Sequence, residues 1–227
     1  MSVTISMRHY LSISHLSAAA LFAQQCEEIE IMAKAAPIDN PQRRRHNACA
    51  VSTVIISAAF LEAVINETFS DCSDAHGSER IASLPGRSIM GRLWKKGIPR
   101  TASYSILDKY DIALELNEKP TFDVGASPYQ DVKLLIELRN ALIHYEPETI
   151  VGHSDHEAPQ PHKFEKRLKG KFPINTLTGL GNPFYPDKVL GAGCAKWAVS
   201  ASIAFTDDFF HRLETTPIYE HVREVYF

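Results

Sequence analysis

Arg139, Asn140 and His144 fall within six residues of one another, inside a stretch that is otherwise strongly apolar: Leu134, Leu135, Ile136, Leu138, Leu142 and Ile143 surround them. Burying such groups unpaired is costly, so a sequence selected only to fold rarely concentrates them there. A guanidinium is always charged and grips phosphate oxygens in a fork. An imidazole exchanges a proton near neutral pH. Together they are suited to holding a phosphodiester and moving a proton on or off it, with the Asn140 amide positioning either partner.

The helix that carries them sets their directions. At about 100° per residue, Arg139 points with Val132, Leu135 and Leu142, on the apolar side. Asn140 and His144, four residues apart, share a second face with Lys133 and Glu137. Arg139 and His144 diverge by about 140° in a regular helix. A distortion near Pro147, a bent arginine or a second subunit must therefore bring them together. Glu62 lies in an apolar stripe of an earlier helix with Val51, Ala58 and Ile65, and Asn66 is one turn further on. A buried carboxylate needs a cationic partner. The expectation is that Glu62 and Asn66 orient Arg139 across the helix packing.

Five long helices are expected around this segment. The first spans about residues 14–36 and stops at Pro37. The second spans about 44–69 and is apolar nearly all round, which suits a central or interface helix. Residues 72–100 are broken by Gly and Pro, and a third helix follows over about 103–116. The key helix opens at Ser127 as N-cap, with Pro128 in the first turn and Gln130 completing a capping box. Pro147 ends it just after Tyr145. Residues 147–188 read as an irregular excursion with one short basic helix near 164–168. The last helix, about 189–213, carries Gly191, Gly193 and many Ala and Ser residues that permit close approach. The fold class is all-α: a single domain over 1–227, an up-and-down bundle of four to five core helices with irregular insertions.

With 227 residues the chain can bury a sizeable core. A net charge of -3 supplies no global field for a polyanion, so nucleic-acid contacts must come from local clusters. The four cysteines form no C-x-x-C pair, which argues against a zinc ribbon or redox motif. Free thiols in a cytoplasmic protein are the simplest reading. No secretory signal is visible, and the apolar run over 50–64 contains Glu62 and reads as a buried helix rather than a membrane span.

The segment Leu135-Ile136-Glu137-Leu138-Arg139-Asn140-Ala141-Leu142-Ile143-His144-Tyr145 resembles the signature of the HEPN superfamily (higher eukaryotes and prokaryotes nucleotide-binding), an arginine and a histidine separated by four to six residues, commonly with a polar residue after the arginine. Residues 58–67 are similar to an earlier core helix of many HEPN proteins. The resemblance covers roughly residues 14–145 and, more loosely, the last helix. It implies a helical bundle that dimerises, with the arginines and histidines of two subunits meeting in one cleft. It further implies a metal-independent, cofactor-free endoribonuclease, in which the 2′-OH attacks the adjacent phosphate and leaves a 2′,3′-cyclic phosphate. His144 would serve as base or acid, Arg139 would hold the phosphate, and Asn140 would position one of them. Tyr145 directly follows the histidine, whereas a toxin branch of the family has one residue between. The implied setting is phage defence or a toxin-like stress response, with RNA, a second copy and an antitoxin or regulatory protein as partners and no membrane. The alternative is a non-catalytic HEPN-like module that binds RNA, a nucleotide or a protein.

Basic clusters at Arg43–His46, with Arg44 and Arg45, at residues 92–96, with Lys95, Lys96 and the stacking-competent Trp94, and over residues 162–171 are the candidate RNA contacts. Each alone is most simply solvated charge. His153, Asp155, His156 and His162 lack the helical or cysteine frame of a metal site, so none is assigned.

Overall fold

The computed structural model describes residues 8–74, 79–100, 103–147 and 162–226. Among the described residues it is helical without a strand. The helices are α1 (Leu11–Ala35), α2 (Asn40–Ser73), α3 (Arg87–Lys95), α4 (Ile106–Leu116), α5 (Tyr129–Ile143), α6 (Glu165–Leu168), α7 (Ala192–Arg212) and α8 (Arg223–Tyr226). The expected all-α bundle is therefore present. Its long core members are α1, α2, α5 and α7, with α4 completing one side.

α2 is the axis of the molecule. It begins in a full capping box: the Asp39 side chain accepts from the Gln42 amide, and the Gln42 side chain accepts from the Asp39 amide. Such a cap contributes about 1 kcal/mol. The sequence pattern puts this start four residues late, because its helix-favouring run begins only after Pro41. Proline belongs in the first turn, where its missing N–H costs nothing. Ala50, Val54, Ala58, Leu61 and Ile65 are buried on one side of α2, and Phe60 and Val64 on another. α2 is long and apolar enough to span a membrane, and 56% of its most apolar stretch is buried inside the bundle.

Residues 79–100, expected to be irregular, contain α3. Gly91 lets α3 lie directly on α2: a Cβ there would meet the Cys72 carbonyl oxygen at 2.4 Å. A glycine that reads as a helix breaker is in fact a packing requirement. The glycines of the last helix behave similarly, but toward a different neighbour. A Cβ on Gly193 would strike the Pro173 carbonyl oxygen at 2.1 Å, and one on Gly191 would lie 2.8 Å from the Asn175 Cα. The two glycines thus make room chiefly for the excursion, and Gly191 also for Glu30 of α1, while the small residues Ala195, Ala198 and Ser202 are buried where α7 packs on α1 and α2.

One aromatic cluster joins α4, α7 and the loop before α5. Tyr110 is fully buried; its hydroxyl donates to the Leu61 carbonyl at 2.7 Å, and Phe205 and Phe209 meet its ring edge-to-face at 4.9 and 4.7 Å. Phe122 stacks on Phe205 at 4.3 Å. The end of the chain folds back over α7: the Tyr219 hydroxyl donates to Asp207, and Arg223 pairs with the same carboxylate.

The described part of the excursion docks on α5. Lys171 donates to the Asp131 carboxylate at 2.6 Å, and Ser127 donates to its other oxygen. Burial alone would raise the Asp131 pKa; the hydrogen bonds from Lys171, Ser127 and Trp197, with the Lys171 charge, outweigh it and hold the carboxyl below its ordinary value. A carboxyl lowered on folding stabilises fully above its unfolded pKa, and that contribution is lost as pH falls through the folded one. The stability difference between the wild type and Asp131→Asn, followed by thermal melts across pH, should therefore be largest near neutrality and should shrink progressively as pH falls below about 4.

Candidate functional site

α5 is shorter than expected at both ends. Ser127 does not cap it; its hydroxyl donates to Asp131 instead, and the Gln130 side chain reaches the Val124 carbonyl. α5 ends at Ile143, and His144 is the C-cap, its N–H donating to the Asn140 carbonyl at 2.9 Å with φ -104° and ψ 43°. His144 has thus left the helix two residues before the expected stop. The 140° divergence from Arg139 applies to a continuing helix, so it does not constrain the imidazole here.

The two faces of α5 are as the wheel predicts. Val132 and Leu135 are buried, and Arg139, on their side, is half-buried. Lys133, Asn140 and His144 are exposed on the other face. Ile143 and Tyr145 are also exposed, at 49% and 47%, so the end of α5 presents apolar and polar groups to solvent together. Among the described residues, the side chains of Arg139, Asn140 and His144 make no hydrogen bond or ion pair.

The expected support from Glu62 and Asn66 is not observed. Glu62 is paired with Lys109 on α4, Nζ to Oε1 at 2.8 Å, and the same ammonium reaches Asn66 Oδ1 at 3.4 Å. The need of Glu62 for a cation is met, but by a different cation from the expected one. Lys109 is the buried member, at 2% side-chain exposure, while Glu62 keeps 44% of its side chain in water. The ammonium thus needs the carboxylate more than the reverse. Arg139 is left uncommitted. Glu62→Gln is accordingly expected to lower thermal stability modestly, through Lys109, and to leave any Arg139-dependent activity at the wild-type rate.

The basic clusters do not form one surface. Arg44 and Arg45 are exposed near the start of α2. Lys95 and Lys96 are exposed at the end of α3, whose Trp94 stacks on Phe69 near the other end of α2. Twenty-five residues of α2 separate Arg44 from Phe69, or roughly 38 Å of helix. Trp94 also carries the Arg100 guanidinium 4.7 Å above its ring, so it is engaged within the fold rather than offered to a base. The third region is different. Arg167 of α6 forms a two-bond pair with Glu137, on the same face of α5 as Asn140 and His144. Lys163, Lys166 and Lys169, around it, are exposed. His162 stacks on Tyr185 at 4.6 Å, whereas His153, Asp155 and His156 lie outside the described residues.

Comparison of the chain with protein-family models, with curated proteins and with solved structures returns no match. The HEPN resemblance therefore rests on the Arg139–His144 segment, residues 58–67 and the helical architecture.

A second polar constellation is not apparent from the sequence pattern. Cys26 and Glu30, one turn apart on α1, meet His46 of α2 in the interior, all three buried. His46 Nε2 is 2.9 Å from Glu30 Oε1. The Glu30 carboxylate also accepts from the Ala192 amide at 2.7 Å and from the Thr176 hydroxyl at 2.8 Å. Burial would raise the Glu30 pKa, but the hydrogen bonds from His46, Ala192 and Thr176 together with the His46 charge hold it below the ordinary carboxylate range. Burial, with the neighbouring Glu30 and Cys49 adding to it, pushes the Cys26 thiol up to about 12, so it is no nucleophile. The i, i+4 spacing of Cys26 and Glu30 is a visible signal; the arrival of His46 requires the antiparallel packing of α1 on α2.

Proposed function

We propose that the chain is a HEPN-type endoribonuclease that cleaves RNA by attack of the ribose 2′-OH on the adjacent phosphate, without a metal or other cofactor in that step. The observation that carries this reading is the open end of α5, where Arg139, Asn140 and His144 have no intramolecular side-chain partner among the described residues and the cationic segment around α6 borders the face that carries Asn140 and His144. An unpaired imidazole and guanidinium are the state expected of half a cleft. A second copy would bring the other arginine and histidine, and the exposed Ile143 and Tyr145 are apolar surface available for that contact. Arg139 would hold the phosphate and stabilise its developing charge. His144 would take the 2′-OH proton or return one to the leaving oxygen. A cytoplasmic role in phage defence or a toxin-like stress response, restrained by an antitoxin or regulatory protein, belongs to the same proposal.

Purified protein incubated briefly with single-stranded RNA and a chelator should give fragments ending in 2′,3′-cyclic phosphate. Tight binding of the RNA with no fragments would replace the enzyme reading with that of a non-catalytic binding module.

A further inference from the structure

The Cys26, Glu30 and His46 cluster contains the three donor types that a borderline-soft ion takes together: sulfur, carboxylate oxygen and imidazole nitrogen. Their candidate ligand atoms lie within 4.8 Å of one another, and each residue is buried. In a tetrahedral zinc site such donors sit about 3.4–3.6 Å apart. To reach that spacing the widest separation must shorten by at most about 1.2–1.4 Å, and the 2.9 Å between His46 Nε2 and Glu30 Oε1 must open by about 0.5 Å. We propose that Cys26, Glu30 and His46 bind a zinc ion that clamps α1 to α2 and to the start of α7.

Charge and proton balance favour this assignment. One thiolate and one carboxylate neutralise a divalent ion, so the loaded site buries no net charge, which the interior demands. The ion takes the place between His46 Nε2 and Glu30 Oε1 now bridged by a hydrogen bond. The imidazole proton then resides on Nδ1, where Asn47 Oδ1 stands 3.4 Å away to accept it. The ion displaces the proton now held between His46 Nε2 and Glu30 Oε1, and the Cys26 thiol gives up its own. A metal-bound histidine held by an acceptor on its other nitrogen is the usual outer arrangement of such sites.

The surroundings are built around the carboxylate. Thr176 holds Glu30 Oε2 from outside the helices, and the Ala192 amide fixes Oε1. Gly191 is required beside them: a Cβ there would approach Glu30 Oε1 to 2.8 Å. Cys49 and Cys194, both buried, border Cys26 closely enough that a thiolate on either would repel its own. The cluster holds no feature of a thiol nucleophile, since it is closed from solvent at Cys26, which is 0% exposed. The site shares no residue with the Arg139–His144 end, so it stands or falls independently of the nuclease reading.

The test uses the full chain carrying no affinity histidines. Elemental analysis of the purified protein should find about one zinc per chain. Refolding in Co2+ should give the intense near-ultraviolet band of a cobalt–thiolate bond. Cys26→Ser and His46→Gln should each reduce bound metal to less than about a tenth of the wild-type content. Thr176→Val, which keeps every ligand and removes only the carboxylate's outer support, should weaken metal affinity roughly 10- to 100-fold and keeps the proposal testable if the ligand variants fail to fold. A wild-type protein that contains no zinc and shows no band with Co2+ overturns the proposal. So does a metal content unchanged by Cys26→Ser or His46→Gln, or an affinity unchanged by Thr176→Val.

Discussion

Arg139→Ala and His144→Ala should each abolish RNA cutting while leaving the protein as stable as the wild type. Loss of a positioned acid–base group costs roughly 10²–10⁴ in rate. Loss of a single donor to a developing anion costs roughly 10²–10³. Either effect would place residual cutting at the limit of a gel assay. The stability half of the prediction comes from the structure. His144 is exposed beyond the end of α5, and neither its side chain nor that of Arg139 has a hydrogen-bond or ionic partner among the described residues. Surface substitutions such as His144→Ala usually change stability by less than about 0.5 kcal/mol, and the half-buried but unpaired Arg139 loses only part of its stem packing. Full activity in both variants would remove the site from the proposal, and a melting temperature lowered by several degrees in Arg139→Ala would show that its work is structural. Mixing the two inactive variants adds a sharper measurement. A cleft shared between subunits contains one intact arginine and one intact histidine in a heterodimer, so partial recovery of cutting is expected if the halves act across the interface.

Tyr110→Ala should destabilise the protein far more than any substitution at the end of α5. The ring is fully buried at the junction of α2, α4 and α7, with Phe205 and Phe209 against it and its hydroxyl on the Leu61 carbonyl. Truncating a buried aromatic ring costs about 3–5 kcal/mol, because the lost burial is compounded by the cavity that remains. For a chain of this length that corresponds to a fall in melting temperature of roughly 6–20 °C. Tyr110→Phe isolates the hydroxyl. It should cost about 1 kcal/mol, since the ring contacts stay and only one hydrogen bond to a carbonyl is lost. Calorimetry or denaturant melts of the two variants would separate the two contributions. Equal losses in both would mean that the hydroxyl, rather than the ring, holds the junction.

Helical periodicity in the sequence was sufficient for the existence and order of the long helices. Apolar side chains recur along α2 and α5 at the spacing of one helical turn, and that spacing has only one way to be buried. It also assigned Arg139 to the inner side of α5 and Asn140 to the outer, because those directions follow from a fixed turn per residue. Helix ends were less legible. Pro41 and Gly91 read as breakers, yet one occupies a first turn and the other a helix–helix contact, and neither role is visible without the neighbour that requires it. The sequence likewise required that Glu62 have a cation, on grounds of charge alone. Which cation it has depends on the rotation of α4 against α2, which brings Lys109 to it and leaves Arg139 free. The meeting of Cys26, Glu30 and His46 and the placement of Arg167 of α6 against Glu137 of α5 were decided by the tertiary structure for the same reason. Local chemistry sets what each side chain needs, but the partner that meets the need can be far away in the chain, and only packing selects it.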